Sequence, residues 1–164
     1  MNDNYYKNLV EQSKDYFNKA CKFQSEGLLE KAIENYNISI ELFPTPEAYT
    51  FLGWTYSLLG NYERAIEECK NSIELDPEYG NSYNDIGAYL LAKGKTEEAI
   101  PYFEMALNAQ RYDAKHFAYL NLGRAFEAKG LWFEAVEEYR KSKEAAPEYL
   151  PAKQHFNRLQ GLLN

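Results

Sequence analysis

The chain has few of the residues that build metal and redox sites. Its 164 residues include only two cysteines, Cys21 and Cys69, and two histidines, His116 and His155. Two cysteines do not indicate a disulfide framework, and neither histidine has companions at the spacing of metal ligands. The composition therefore predicts no metal and no cofactor, and it favours a reducing, cytoplasmic setting.

Basic residues are also scarce. The chain has 18 Lys and Arg against 25 Asp and Glu, a net charge of −7, which argues against a nucleic-acid partner. No apolar run approaches the roughly 20 residues of a membrane span. Residues 1–12 lack the basic start and apolar core of a secretory signal. With 45% hydrophobic residues, the chain has enough apolar material for one domain, predicted to cover residues 1–164.

What the chain does contain is a pattern repeated four times. In each copy a glycine is followed five positions later by an alanine, and the copies recur about every 34 residues, a period typical of helical repeat proteins. The glycines are Gly27, Gly60, Gly94 and Gly130, and the alanines are Ala32, Ala65, Ala99 and Ala135. The third copy is slightly longer near Arg111, which predicts either a longer second helix or a looser loop.

Each copy has the punctuation of two helices, most clearly in the second. Thr45 and Pro46 are typical of a helix start, because they supply a cap oxygen and a proline in the first turn. Gly60 breaks this first helix. A second helix is predicted from Tyr62 to Leu75, and Pro77 ends it because proline cannot continue a hydrogen-bonded turn.

Bulky and small residues alternate along each copy in a pattern that resembles the tetratricopeptide repeat family. In the second copy the matching residues are Tyr49, Leu52, Gly53, Tyr56, Gly60, Tyr62, Ala65 and Pro77. The resemblance implies an all-α fold, a right-handed α-solenoid of helix-turn-helix repeats with a concave groove. The predicted segments are an N-terminal extension of the first helix at 1–12, repeats at 13–45, 46–79, 80–115 and 116–149, and a capping helix at 150–164.

The face of each first helix opposite its packed side would line that groove in the family. A purely solvated face does not carry Phe51, Trp54 and Leu58 together, and an apolar patch with polar neighbours is typical of an interaction site. Asparagine amides there are expected to bond a peptide backbone. The candidate groove residues are Phe17, Asn18, Phe51, Trp54, Leu58, Asn84, Asp85, Phe117, Leu120, Asn121 and Arg124. Packing of these aromatics within the protein stays the alternative.

The pattern favours a non-catalytic protein-interaction scaffold that binds a peptide or partner segment. Co-chaperone members of the family hold a C-terminal carboxylate with cations, but the matching positions here lack them, and Asp85 would repel a carboxylate. A carboxylate-clamp partner is therefore disfavoured. Two alternatives remain: a secretion- or assembly-type chaperone for client segments, and a self-association module whose groove takes a neighbouring subunit.

Overall fold

The computed structural model describes residues 3–163, which form nine α-helices and no strand longer than an isolated bridge. This confirms the predicted all-α repeat fold. The helices are α1 Asp3–Ser25, α2 Leu29–Leu42, α3 Pro46–Leu58, α4 Tyr62–Leu75, α5 Gly80–Ala92, α6 Thr96–Asn108, α7 Lys115–Ala128, α8 Trp132–Ala145 and α9 Leu150–Leu163. Helix α1 begins at Asp3, within the segment 1–12 that the sequence analysis assigns to an N-terminal extension, and residues 1–2 of that segment lie outside the described residues.

The helices form two compact units, and each is built from sequential helix pairs. The N-terminal unit, Met1–Pro77, contains the pairs α1–α2 and α3–α4. The C-terminal unit, Glu78–Asn164, contains the pairs α5–α6 and α7–α8, with α9 packed against α8. The predicted single domain over residues 1–164 stays a prediction. No helix in the described part of the chain combines the length and hydropathy needed to cross a membrane.

Local signals set the ends of α3 and α4. The Ala48 amide donates a hydrogen bond of 3.2 Å to Thr45 Oγ1, and Pro46 occupies the first turn. The cap satisfies an amide that has no partner inside the helix. At the next start, the Arg64 amide donates to Asn61 Oδ1 at 3.1 Å. The second helix spans Tyr62–Leu75, the bounds that the sequence predicts.

The repeated glycines make the turn inside each helix pair. Gly27, Gly60, Gly94 and Gly130 have φ between 74° and 77°. This left-handed conformation is strained for residues with a Cβ. In the second repeat, the Gly60 amide donates to the Ser57 carbonyl at 2.9 Å. The glycine of the pattern is therefore required by the backbone.

The extra length of the third copy forms a loop. Helix α6 ends at Asn108, and the looser loop, residues 109–114, is the alternative that the structure shows. The Arg111 amide donates to the Glu78 carbonyl at 2.9 Å, and the Gly80 amide donates to the Arg111 carbonyl at 3.1 Å. Tyr112 packs so closely over Gly80 that a Cβ there would clash with it.

Small residues let the two helices of a pair approach closely. A Cβ built on Gly87 of α5 would lie 2.5 Å from Phe103 Cε1 on α6, and one on Gly123 of α7 would lie 2.5 Å from Tyr139 Cε1 on α8. Both rings are fully buried. The four alanines of the pattern are also fully buried, which is consistent with small residues at close helix contacts. They are Ala32, Ala65, Ala99 and Ala135.

The last helix covers the end of the C-terminal unit. Ala152, Phe156 and Leu159 are the buried residues of α9. They pack with Ala135 and Tyr139 of α8.

We expect Gly87→Ala to lower the free energy of unfolding by about 1–2 kcal/mol, because overpacking against Phe103 exceeds the gain in helix propensity. Urea denaturation followed by circular dichroism measures this. Gly161→Ala is the matched control, since nothing lies within 4 Å of a Cβ at Gly161. It should leave stability unchanged or slightly raised. Equal stability of the two variants would contradict a close helix contact at Gly87.

Candidate functional site

The N-terminal unit carries a row of contacting aromatic rings on α1 and α3. The centroids of Phe17 and Phe51 lie 5.3 Å apart, and those of Phe51 and Trp54 lie 5.8 Å apart, both with edge-to-face geometry. Such ring pairs stabilise each other beyond the area they bury. We call Phe17, Phe51, Trp54 and Leu58 the aromatic face.

Two residues of the aromatic face pack against the core, and the other two are exposed to solvent. Phe17 and Phe51 are half-buried and pack against a core that includes Ala20, Tyr36 and Leu52. Trp54 and Leu58 are 46% and 52% exposed. They lie one turn apart on α3, where side chains share a helix face. The arrangement presents an ordered indole and an apolar neighbour to solvent.

Tyr36 holds the base of the aromatic face in place, a role that the sequence pattern does not distinguish from ordinary packing. Its ring lies 5.6 Å from that of Phe17, and its hydroxyl donates a 2.6 Å hydrogen bond to Gln24 Oε1. Burial, followed by the nearby Cys21, raises the pKa of this hydroxyl. Asn18, also predicted in the site, is exposed on α1.

In the C-terminal unit, hydrogen bonds link polar side chains of α5 and α7 in a row. Asn121 Nδ2 donates to Asn84 Oδ1 at 3.1 Å, and Asn84 Nδ2 donates to Asp85 Oδ1 at 3.2 Å. Arg124 Nη1 lies 3.5 Å from Asn121 Oδ1. Asn84 and Asn121 are buried and bond each other, so part of their hydrogen-bonding capacity is already used.

Among these hydrogen-bonded side chains, Asp85 has the most unusual electrostatic environment. Burial raises the pKa of its carboxyl to about 7, and the hydrogen bond from Asn84 opposes that rise only in part. The Tyr112 hydroxyl is also buried. Burial raises the pKa of that hydroxyl and the charge of Asp85 raises it further, whereas the Ala118 backbone opposes the rise.

The remaining predicted residues differ in exposure. Phe117 is 40% exposed and lies against Tyr149, with ring centroids 5.3 Å apart. Arg124 is exposed. Leu120, predicted on the exposed face, is 7% exposed and lies in the core instead, because it packs with side chains of α8 and α9 such as Tyr139 and Phe156. Among residues 3–163, no group of three or more His, Cys, Asp or Glu is placed to hold a metal ion.

The helix pairs, the glycine turns and the small-residue contacts define an α-helical repeat protein. Family models described as tetratricopeptide repeat match residues 46–79 and 68–100. These matches support a tetratricopeptide repeat family for this chain. Members of this family are generally protein-interaction scaffolds.

Several known proteins are similar in sequence to part of this chain. The chain is 32% identical over 96 residues to small glutamine-rich tetratricopeptide repeat-containing protein 2 of Mycosarcoma maydis. The alignment covers 58% of this chain and 26% of that protein. It is 28% identical to the TPR repeat-containing protein YpiA of Bacillus subtilis, covering 71% of this chain and 29% of YpiA. It is 27% identical to the BBSome complex member BBS4 of Bos taurus, covering 76% of this chain and 24% of BBS4. The chain thus spans about a quarter of the length of these relatives.

Solved structures agree on the fold. The MamA protein aligns with a TM-score of 0.71 and 25% identity, covering 91% of this chain and 81% of MamA. PilW, titled a type IV pilus biogenesis factor, aligns with a TM-score of 0.82 and 21% identity, covering 92% of this chain and 69% of PilW. At this identity, the likeness to PilW shows the fold alone.

We expect Asp85→Asn to stabilise the protein more at about pH 8 than at about pH 4. The folded carboxyl has a pKa near 7 against an ordinary 3.8, so between these values the folded state holds a proton that the unfolded state has lost. The carboxyl therefore destabilises the fold increasingly as pH rises through this window, and asparagine removes that penalty. Urea denaturation of both proteins across the window measures it.

Asp113→Asn, at an exposed aspartate of the same unit, is the control and should show no comparable pH-dependent gain. A stability difference between Asp85→Asn and wild type that stays constant with pH would contradict the raised pKa.

Proposed function

We propose that this protein is a non-catalytic interaction module whose aromatic face binds apolar side chains of a peptide or partner segment. The observation that carries the proposal is Trp54, a half-exposed indole held by ring contacts to Phe51 on a supported stack. Tryptophan is among the residues that most often dominate binding energy at protein interfaces.

The order of the aromatic face favours binding over incidental exposure. Covering the Trp54 and Leu58 side chains would remove apolar area from water, at about 25 cal/mol per Å². Because Phe51 already contacts the indole, and Phe17 in turn contacts Phe51, little side-chain freedom is lost when a partner docks. Since the contact is apolar, we expect its affinity to depend only weakly on salt.

Within each unit, further predicted residues offer contacts to a partner. In the N-terminal unit, the exposed Asn18 offers an amide donor and acceptor to a partner's backbone. In the C-terminal unit, Phe117 offers an apolar contact and Arg124 a partner for an acidic group. Asn84 and Asn121 would use the hydrogen-bonding positions that their mutual bond leaves over.

The comparisons support a protein partner in general terms. BBS4 is by name a member of a protein complex, and its similarity extends over 76% of this chain. One relative, the protein O-mannosyl-transferase Tmtc3 of Drosophila melanogaster, is named as an enzyme, but this chain covers only 9% of it. The similarity to Tmtc3 over so short a part gives no support for catalysis here, and we propose none.

Two variants of this function differ in the partner. A chaperone for client segments would be monomeric when dilute, whereas a self-association module would form oligomers through the aromatic face. Sedimentation velocity over a range of concentrations separates them. Because two cysteines do not make a disulfide framework, we place the function in a reducing compartment such as the cytoplasm.

The two tryptophans allow a matched test of the proposal. Trp54 is 46% exposed on α3, and Trp132 is 45% exposed on α8. Peptides selected from a random displayed library on the immobilised wild-type protein should lose at least about tenfold in affinity with Trp54→Ala, because truncating an aromatic anchor commonly costs this much. Isothermal titration calorimetry with the same peptides measures the change.

Trp132→Ala removes the same side chain at the same exposure and should leave the affinity unchanged. Circular dichroism establishes that both variants are folded. Equal affinity of the two variants for every selected peptide would show that the aromatic face does not bind them.

A further inference from the structure

Two kinds of contact hold helix α9 to the helices before it. The buried apolar residues of α9 pack in one cluster with Tyr139 of α8. Arg158 of α9 donates to both carboxylate oxygens of Glu127 on α7, each at 2.7 Å. Glu127 also accepts a hydrogen bond of 2.7 Å from the Tyr139 hydroxyl. The Glu127 carboxylate therefore ties α7, α8 and α9 together.

His155 lies in this contact between α8 and α9. The centroid of its ring is 4.9 Å from that of the Tyr139 ring. Its Nδ1 atom is buried and, among residues 3–163, has no hydrogen-bond partner. A neutral imidazole carries one N–H group, whereas an imidazolium donates from both nitrogens. The packed position of α9 thus accommodates the neutral ring and offers no acceptor to the protonated one.

The surroundings of His155 also disfavour its positive charge. Burial lowers the pKa of the ring below its ordinary 6.5, and Arg158 lowers it further. Glu127 opposes this effect, and Arg124 of α7 adds to it. If α9 leaves α8, water surrounds the ring and solvates both nitrogens, so its pKa returns toward the ordinary value.

We propose that α9 is an acid-sensitive capping helix, which protonation of the His155 ring releases from α7 and α8. The released state binds the proton more tightly than the packed state does, so acid shifts the equilibrium toward release. Release uncovers the apolar cluster beneath α9, which includes Leu120 and Tyr139. The inference is independent of the proposed function, because it uses no residue of the aromatic face.

The interval between about pH 7.5 and pH 5.5 separates His155 from its charged neighbours. Although burial opposes it, hydrogen bonds from Arg158 and Tyr139 lower the pKa of Glu127 below its ordinary 4.5, so Glu127 stays ionised. Burial raises the pKa of the Tyr139 hydroxyl, which stays neutral. The basic residues near this contact are cations throughout the interval, namely Arg124, Lys143 and Arg158. Among these groups His155 is the one that changes charge.

Hydrogen–deuterium exchange of the full chain at about pH 7.5 and pH 5.5 measures release, after correction for the intrinsic pH dependence of amide exchange. Mass spectrometry reads the exchange peptide by peptide. Protection within residues 150–163 should fall severalfold at the lower pH, and by no more than about tenfold, because release is linked to one proton that binds near pH 6.5. Peptides from α5 and α6 should change less.

Two variants with matched changes identify the responsible ring. His155→Phe keeps an aromatic ring against Tyr139 but cannot take up a proton, so its α9 protection should be equal at the two pH values. His116→Phe makes the same change at the other histidine, whose pKa burial also lowers, and should retain the loss of α9 protection.

The wild-type protein gives a measurement that does not depend on any variant. NMR of the ¹⁵N-labelled His155 ring should give a titration midpoint below 6.5. A midpoint at or above 6.5 would overturn the proposal. Unchanged α9 protection in the wild type, or an equal loss in the wild type and His155→Phe, would overturn it as well.

Discussion

The close approach of the two helices in each pair is the constraint on which the rest of the structure depends. At Gly87 and Gly123 the first helix leaves no room for a Cβ against Phe103 and Tyr139 of the second. Because of this contact, one side of each first helix packs against the second helix of its pair. The opposite side, which carries Trp54 on α3 and Asp85 on α5, is thereby left for other uses.

The fold was predictable where the determining signals are local. The bounds of α4 follow from Tyr62, next to the cap at Asn61, and from Pro77 beyond its end, all within a few residues of what they control. The path of the chain near Arg111 was not predictable. Whether the extra residues extend a helix or form a loop depends on backbone bonds to Glu78 and Gly80, which lie far earlier in the sequence.

The sequence predicted which side of each helix carries the candidate residues, but not how deeply each residue is buried. Helical periodicity places Phe51, Trp54 and Leu58 on one side of α3, and their exposure agrees with that placement. The same periodicity places Leu120 on the corresponding side of α7, where packing with α8 and α9 buries it. An angle around a helix axis does not say how far neighbouring helices cover a residue. The raised pKa of Asp85 likewise depends on burial by the surrounding fold, which its own sequence neighbours do not reveal.

The central proposal is that the aromatic face, with Trp54 as its exposed ring, binds the partner. The most direct measurement of the central claim is hydroxyl-radical footprinting of the protein with and without a bound partner, with oxidation of each tryptophan quantified by mass spectrometry. Both indoles are about half exposed, so they start from similar reactivity. The account predicts that the partner protects Trp54 and leaves Trp132 unchanged. Protection of Trp132 with undiminished oxidation of Trp54 would contradict it.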